Sequence, residues 1–189
     1  MITILPYQRE WPEAFVSLGR ELRNALRNLA LRIDHIGSTA VPGLAAKDVL
    51  DIQVTARALT AEVDDAVNSA GYDRLTHITR DHVPPGGAED PEQWIKWFYN
   101  QRGDGRRVNL HVRVAGRANQ RYAVLFRDYL RANPAMAVAY GQVKLALAAY
   151  HTHDVDAYYA IKDPVGDVIM GGAEDWAATR GWVPGPSDQ

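Results

Sequence analysis

The sequence predicts an α+β fold, a mixed β-sheet flanked by helices with a C-terminal helical segment. Two observations lead there. Strand-like apolar runs fall in the first part of the chain, to about residue 115, and helical periodicity fills the part from about 116 to 172. The length of 189 residues and a hydrophobic fraction of 47% suit one domain with a core of its own, taken as residues 1–183, with 184–189 as a flexible tail.

The elements follow in order. From Glu10 to Leu29 the residues Trp11, Phe15, Leu18, Leu22, Leu26 and Leu29 recur every three or four positions, which places them on one helical face. Pro12 suits the first turn, where a missing N–H costs nothing. Leu31 to Ile36 reads as a strand stopped by Gly37, and a small-residue loop from Ser38 to Ala46 leads to a second strand, Val49 to Thr55. Asp51 and Gln53 lie two apart on that strand and project from one face. A helix over Ala61–Ala70 closes at Gly71, and Tyr72–Thr76 forms a third strand. Pro84 to Asp90 reads as a loop. Trp94–Gln101 and Arg106–Val114 pair as a hairpin across Gly103-Asp104-Gly105. Helices are expected over Gln120–Arg131, ended by Pro134, over Ala135–Tyr150, and over Asp154 to about Met170.

Composition narrows the function. A formal charge of −2, with no terminal run of like charge, calls for neither nucleic acid nor a membrane surface. The absence of cysteine excludes disulfides and thiolate metal sites. No leader pattern opens the chain and no apolar run reaches the ~20 residues that cross a bilayer, so a cytoplasmic location is expected.

The chemistry concentrates in His35 to Val54. A Gly37-Ser38-Thr39 turn at a strand end offers backbone N–H groups and two hydroxyls, a setting that holds phosphate oxygens. Asp51 on the next strand is placed to hold a divalent metal on the same phosphates, and Lys47 to offset their charge. The competing reading is an ordinary Gly-Ser connection between strands. His111 and Arg113 share one strand face, and Arg127, Lys144 and Lys162 come from three helices. Folded over the turn they form a cationic pocket; otherwise they are solvated helix charges. His111 is a candidate general base, phosphate donor or metal ligand. His35 is placed to brace the turn, and His35, His82 and Gln53 to sit at the pocket rim. His151 and His153 read as a helix-end loop, and Trp94 and Trp97 as packing residues.

The pattern Gly37-Ser38-Thr39, Val41-Pro42-Gly43, Leu44, Ala46-Lys47 and then Asp51 on a strand resembles that of the GrpB family. The resemblance continues through Asn109-Leu110-His111-Val112, the stretch Leu125 to Arg131 with Asn133-Pro134, and the pairs Tyr140/Lys144 and Tyr158/Lys162. It implies a nucleotidyltransferase-like fold. It further implies binding of a nucleoside triphosphate or other phosphorylated small molecule, with Mg²⁺ at Asp51, and transfer of a nucleotidyl or phosphoryl group to an unknown acceptor. On this resemblance Gly37, Ser38, Thr39, Lys47, Arg113, Arg127, Tyr140, Lys144 and Lys162 hold the ligand, and Asp51 and His111 are catalytic. The sequence departs from the transferase pattern at Gln53, where a second carboxylate is expected, and on the Asn109–Val114 strand, which carries no third. The alternative implied is a catalytically degenerate accessory domain that supports the folding or regulation of a protein partner. The family's domain also occurs fused behind dephospho-coenzyme A kinase; this sequence has no G-x-x-x-x-G-K-S/T loop, and a stand-alone form is expected.

Overall fold

In the computed structural model, residues 1–103 and 105–189 are described. The expected turn at Gly103-Asp104-Gly105 includes Asp104 and so falls outside the described residues. Helix α1 spans Glu10–Leu26 and buries Trp11, Phe15, Leu22 and Leu26, the stripe that its spacing requires. It stops short of Leu29 because Arg27 takes a positive φ of 48°, and a short 3₁₀ turn follows.

Five strands form one mixed sheet: β1 Ala30–Ile36, β2 Val49–Ala56, β3 Tyr72–Arg74, β4 Trp97–Gln101 and β5 Arg107–Val114. Their order is β1-β2-β5-β4-β3, with β2 and β5 parallel and the other neighbours antiparallel. The expected fourth strand starts at Trp97 rather than Trp94. Pro91–Trp94 is a 3₁₀ turn, with Pro91 at its start and the Asp90 side chain accepting from the Glu92 N–H.

Alternation along the two central strands sorts the residues. Leu50, Ile52 and Val54 of β2 and Val108, Leu110 and Val112 of β5 join α1 and α2 (Ala61–Ser69) in the main core. Asp51, Gln53 and Thr55 face the other way, in register with Asn109, His111 and Arg113. Over that second face lie three helices, α3 Ala118–Ala132, α4 Pro134–Tyr150 and α5 Val155–Arg180, which share a core of Leu125, Leu130, Tyr140, Ile169 and Met170.

Helix α5 continues past the expected Met170 to Arg180. Gly171-Gly172 has the look of a stop signal, yet Gly172 serves packing: a Cβ there would lie 3.0 Å from the Tyr129 hydroxyl. The tail, expected to be flexible, lies along the free edge of β1. The Ile33 N–H donates to Ser187 Oγ (2.9 Å), the Gln189 N–H to the Ile33 carbonyl (3.1 Å) and the His35 N–H to Asp188 Oδ2 (2.9 Å). It thereby supplies partners for an edge that would otherwise be bare. No helix among the described residues is long and apolar enough to cross a membrane.

Candidate functional site

Gly37 ends β1 with φ +69°, and Ser38–Ala40 turn in one 3₁₀ step. The first N–H groups of such a turn have no partner within it. Gly37 is required twice: its φ suits glycine, and any Cβ would lie within 2.9 Å of the Asp51 Cβ and closer still to Oδ2. The close approach follows from the register, which sets Ile36 opposite Asp51 and Asp51 beside Asn109.

Around this contact the sheet and the three helices enclose a cleft with two adjoining cavities of about 330 Å³ each, both lined by Ser38, Asp51 and Lys162. The first is basic: Lys47, Arg107, Lys144 and Lys162 line it together with Thr39 and Asn109. The second is aromatic, with Trp94, Tyr122, Phe126 and Tyr140, and reaches His82 and His111. The sequence-selected residues Gly37, Ser38, Thr39, Lys47, Asp51, His82, His111, Arg113, Tyr140, Lys144 and Lys162 therefore share one cleft.

Their states differ. Lys144 is 2% exposed and donates to Ser38 Oγ at 2.8 Å. Among the described residues no carboxylate pairs with it, and burial, then the Lys162 charge, bring its ammonium down to about 7. Lys47 donates to the Tyr159 hydroxyl (2.7 Å) and lies over the Tyr158 and Tyr159 rings, and Lys162 pairs with Asp163 (2.8 Å). Asp51 accepts from Asn109 Nδ2 at 2.9 Å and lies 3.7 Å from His111 Nε2. Burial pushes its carboxyl upward, but the neighbouring His111 and the hydrogen bond from Asn109 prevail and hold it below the usual range. Burial, reinforced by Arg113, lowers His111 to about 4.

Two residues invisible as motifs organise this floor. Asp81 accepts from Lys96 Nζ (2.7 Å), Arg113 Nε (2.8 Å), Arg113 Nη2 (2.9 Å) and Asn119 Nδ2 (3.0 Å). Against its burial, those cations hold its carboxyl well below the usual range. The signal for Lys96 was a lone lysine in the apolar stretch Trp94 to Tyr99; nothing local marks Asp81.

Three expected site residues lie elsewhere. Arg127 is buried behind the sheet edge, donating to Asp188 (2.7 Å), Asp128 (2.8 Å) and the His35 carbonyl (3.0 Å), and so ties the tail down. Gln53 is fully buried rather than at the rim, accepting from Arg113 Nη1 (2.6 Å) and donating to the Gln120 carbonyl (3.1 Å). His35 stacks on Phe15, its Nε2 lying 3.0 Å from Thr39 Oγ1, and it supports the turn from beneath. Arg113 reaches the cleft wall, but Asp81 already compensates its charge.

Comparison with known proteins adds the following. The family model described as GrpB protein matches residues 1–171. A dephospho-CoA kinase of Mycolicibacterium paratuberculosis is 38% identical over 97% of this chain, which spans 48% of that protein. The chain thus spans about half the length of such relatives. A UPF0157 protein of Halalkalibacterium halodurans is 31% identical over 89% of this chain and 80% of its own length. The crystal structure of GrpB from Enterococcus faecalis superposes with a TM-score of 0.67 at 26% identity, covering 92% of this chain and 99% of that one.

Proposed function

The chain belongs to the GrpB family, and on that premise we propose that it binds a phosphorylated small molecule, with a nucleoside triphosphate as the reference ligand. The observation that carries this reading is Lys144. A buried ammonium costs several kcal/mol unless an anion compensates it, and among the described residues this one has the Ser38 hydroxyl and the face of the Tyr140 ring (4.7 Å) as partners, with no carboxylate paired to it. A phosphate on the Gly37-Ser38-Thr39 turn supplies the missing charge. Lys47 and Lys162 take further phosphate oxygens from the walls of the same cavity. The adjoining cavity, with Tyr122, Phe126 and Tyr140, takes the organic part of the ligand.

The reaction read from the nucleotidyltransferase-like pattern is transfer of a nucleotidyl or phosphoryl group at Asp51, where the two cavities meet. The donor set does not fit a two-metal centre: among the described residues no group of three His, Cys, Asp or Glu is placed to hold a metal ion. A Mg²⁺ ion carried in with the triphosphate would find Asp51 as its carboxylate and take its other ligands from phosphate and water. A second reading, an accessory domain without turnover, is favoured by Gln53, which stands at the expected second carboxylate position and is consumed by Arg113 and Gln120.

Titration calorimetry with ATP, inorganic triphosphate and dephospho-coenzyme A, with Mg²⁺ and with EDTA, tests the proposal. Dephospho-coenzyme A is included because relatives carry the kinase name. Saturable binding of at least one of these by the native protein, lost in Lys144→Met, is expected. Absence of binding to all three sinks it, and then a protein partner is the next object of search.

A further inference from the structure

His111 lies among groups that leave its ring little choice. Its Nδ1 is 3.2 Å from Arg113 Nη2 and 3.3 Å from Lys96 Nζ. A guanidinium has donors and no acceptor, so the nitrogen facing it must offer a lone pair. Neither cation is free to turn away. Arg113 is held by both oxygens of Asp81 and by Gln53 Oε1, and Lys96 by Asp81 Oδ1. The ring itself is fixed edge-on against Phe98, its cross-strand neighbour. A neutral imidazole with a bare Nδ1 carries its proton on Nε2, and Nε2 is the nitrogen beside Asp51.

We infer that His111 stands in the cleft as a fixed Nε2–H donor to the bound anion at Asp51, held in that tautomer by Asp81 through Arg113 and Lys96. The three are positioning residues and His111 is the one that touches the ligand. Such a ring cannot take a proton from an acceptor through Nε2, nor ligate a metal with it, because the lone pair it would need is on the far side. Of the three roles expected for His111 this keeps the phosphate donor, a neutral N–H aimed where phosphate oxygens gather, and removes the general base and the metal ligand. It also explains a buried cluster of two cations and one carboxylate in the cleft wall: its product is the orientation of one proton. The donor role rests on the phosphate-binding reading; the tautomer does not, since it is a property of the free protein.

Two measurements test it. In protein labelled with ¹⁵N-histidine, long-range proton–nitrogen correlation should show a pyridine-type Nδ1 and a pyrrole-type Nε2 for His111. In titrations with inorganic triphosphate, His111→Gln, whose amide nitrogen reaches the Nε2 position, should stay within about threefold of the native affinity. His111→Asn, whose amide reaches only the Nδ1 position, and His111→Ala should bind about tenfold more weakly, the worth of one hydrogen bond to a charged acceptor. A pyrrole-type Nδ1 with binding intact overturns this inference and leaves the proposed function standing. An Nε2–H ring in a native protein that binds none of ATP, inorganic triphosphate and dephospho-coenzyme A overturns the donor role together with that function. Equal binding by the Gln, Asn and Ala variants overturns the donor role alone.

Discussion

Two buried cations in the helical layer invite comparison. Arg127 on α3 and Lys144 on α4 are 3% and 2% exposed, and both sit at positions of the family pattern. Around Arg127 the charge is answered on several sides: Nε donates to Asp128, Nη1 to Asp188 and the His35 carbonyl, and Asp34 lies 3.9 Å away. Around Lys144 there are one hydroxyl, the face of the Tyr140 ring and an open cavity, and no paired carboxylate among the described residues. Burial and motif position are the same for both, so neither identifies a binding residue. What separates them is whether the charge is already compensated. The structure spends one cation on closing the fold and leaves the other for a ligand.

The comparison can be broken most sharply at Arg127. Its replacement by Met strands the carboxylates of Asp188 and Asp128, and breaking a buried pair costs about 3–5 kcal/mol. A large drop in urea midpoint, with faster hydrogen exchange at the Gln189 amide, is expected. Loss of anion binding at unchanged stability would instead place Arg127 in the site. The opposite sign is expected at Lys144. Lys144→Met removes a buried ammonium that no carboxylate pairs among the described residues, and the free protein should gain on the order of 1–3 kcal/mol at neutral pH. A destabilised variant would mean that the amine is satisfied in the fold.

The smallest effect is a slope. The ordinary lysine value is 10.5 and the folded value is about 7. Between these limits the unfolded chain holds a proton that the folded protein does not, so this residue's contribution to stability rises with pH across that window. A bound anion favours the charged amine. Triphosphate affinity should therefore fall as pH rises above 7, by up to about tenfold per unit, with proton uptake seen as a buffer-dependent binding enthalpy. Lys144→Met should flatten the stability slope, and a native protein whose affinity is flat from pH 7 to 9 would contradict the assignment.

Much of this was legible beforehand. The α1 stripe, the β2 and β5 runs and the Gly37-Ser38 turn are local signals, and period and turn chemistry report them directly. The face shared by Asp51 and Gln53 followed from strand geometry alone. What escaped was long-range. Asp81 acquires its meaning from Lys96, Arg113 and Asn119, and no spacing rule links a loop carboxylate to those positions. Arg127, expected at the ligand from its place in the family pattern, pairs instead with Asp188, in a tail that composition marks as loose. The helix expected to end near Met170 runs on through Gly171-Gly172, because a glycine needed for close packing and one needed for a cap look alike in a sequence.

The alternation along β2 and β5 has a consequence for how the protein can vary. Neighbouring codons there answer to different demands. At Leu50, Ile52, Val54, Val108, Leu110 and Val112 volume is what matters, and one aliphatic side chain can stand in for another at modest cost. At Asp51, Asn109, His111 and Arg113 the number, reach and direction of donors and acceptors are what matter. A saturation scan of either strand should therefore read as two interleaved records, one written in methylene groups and one in protons.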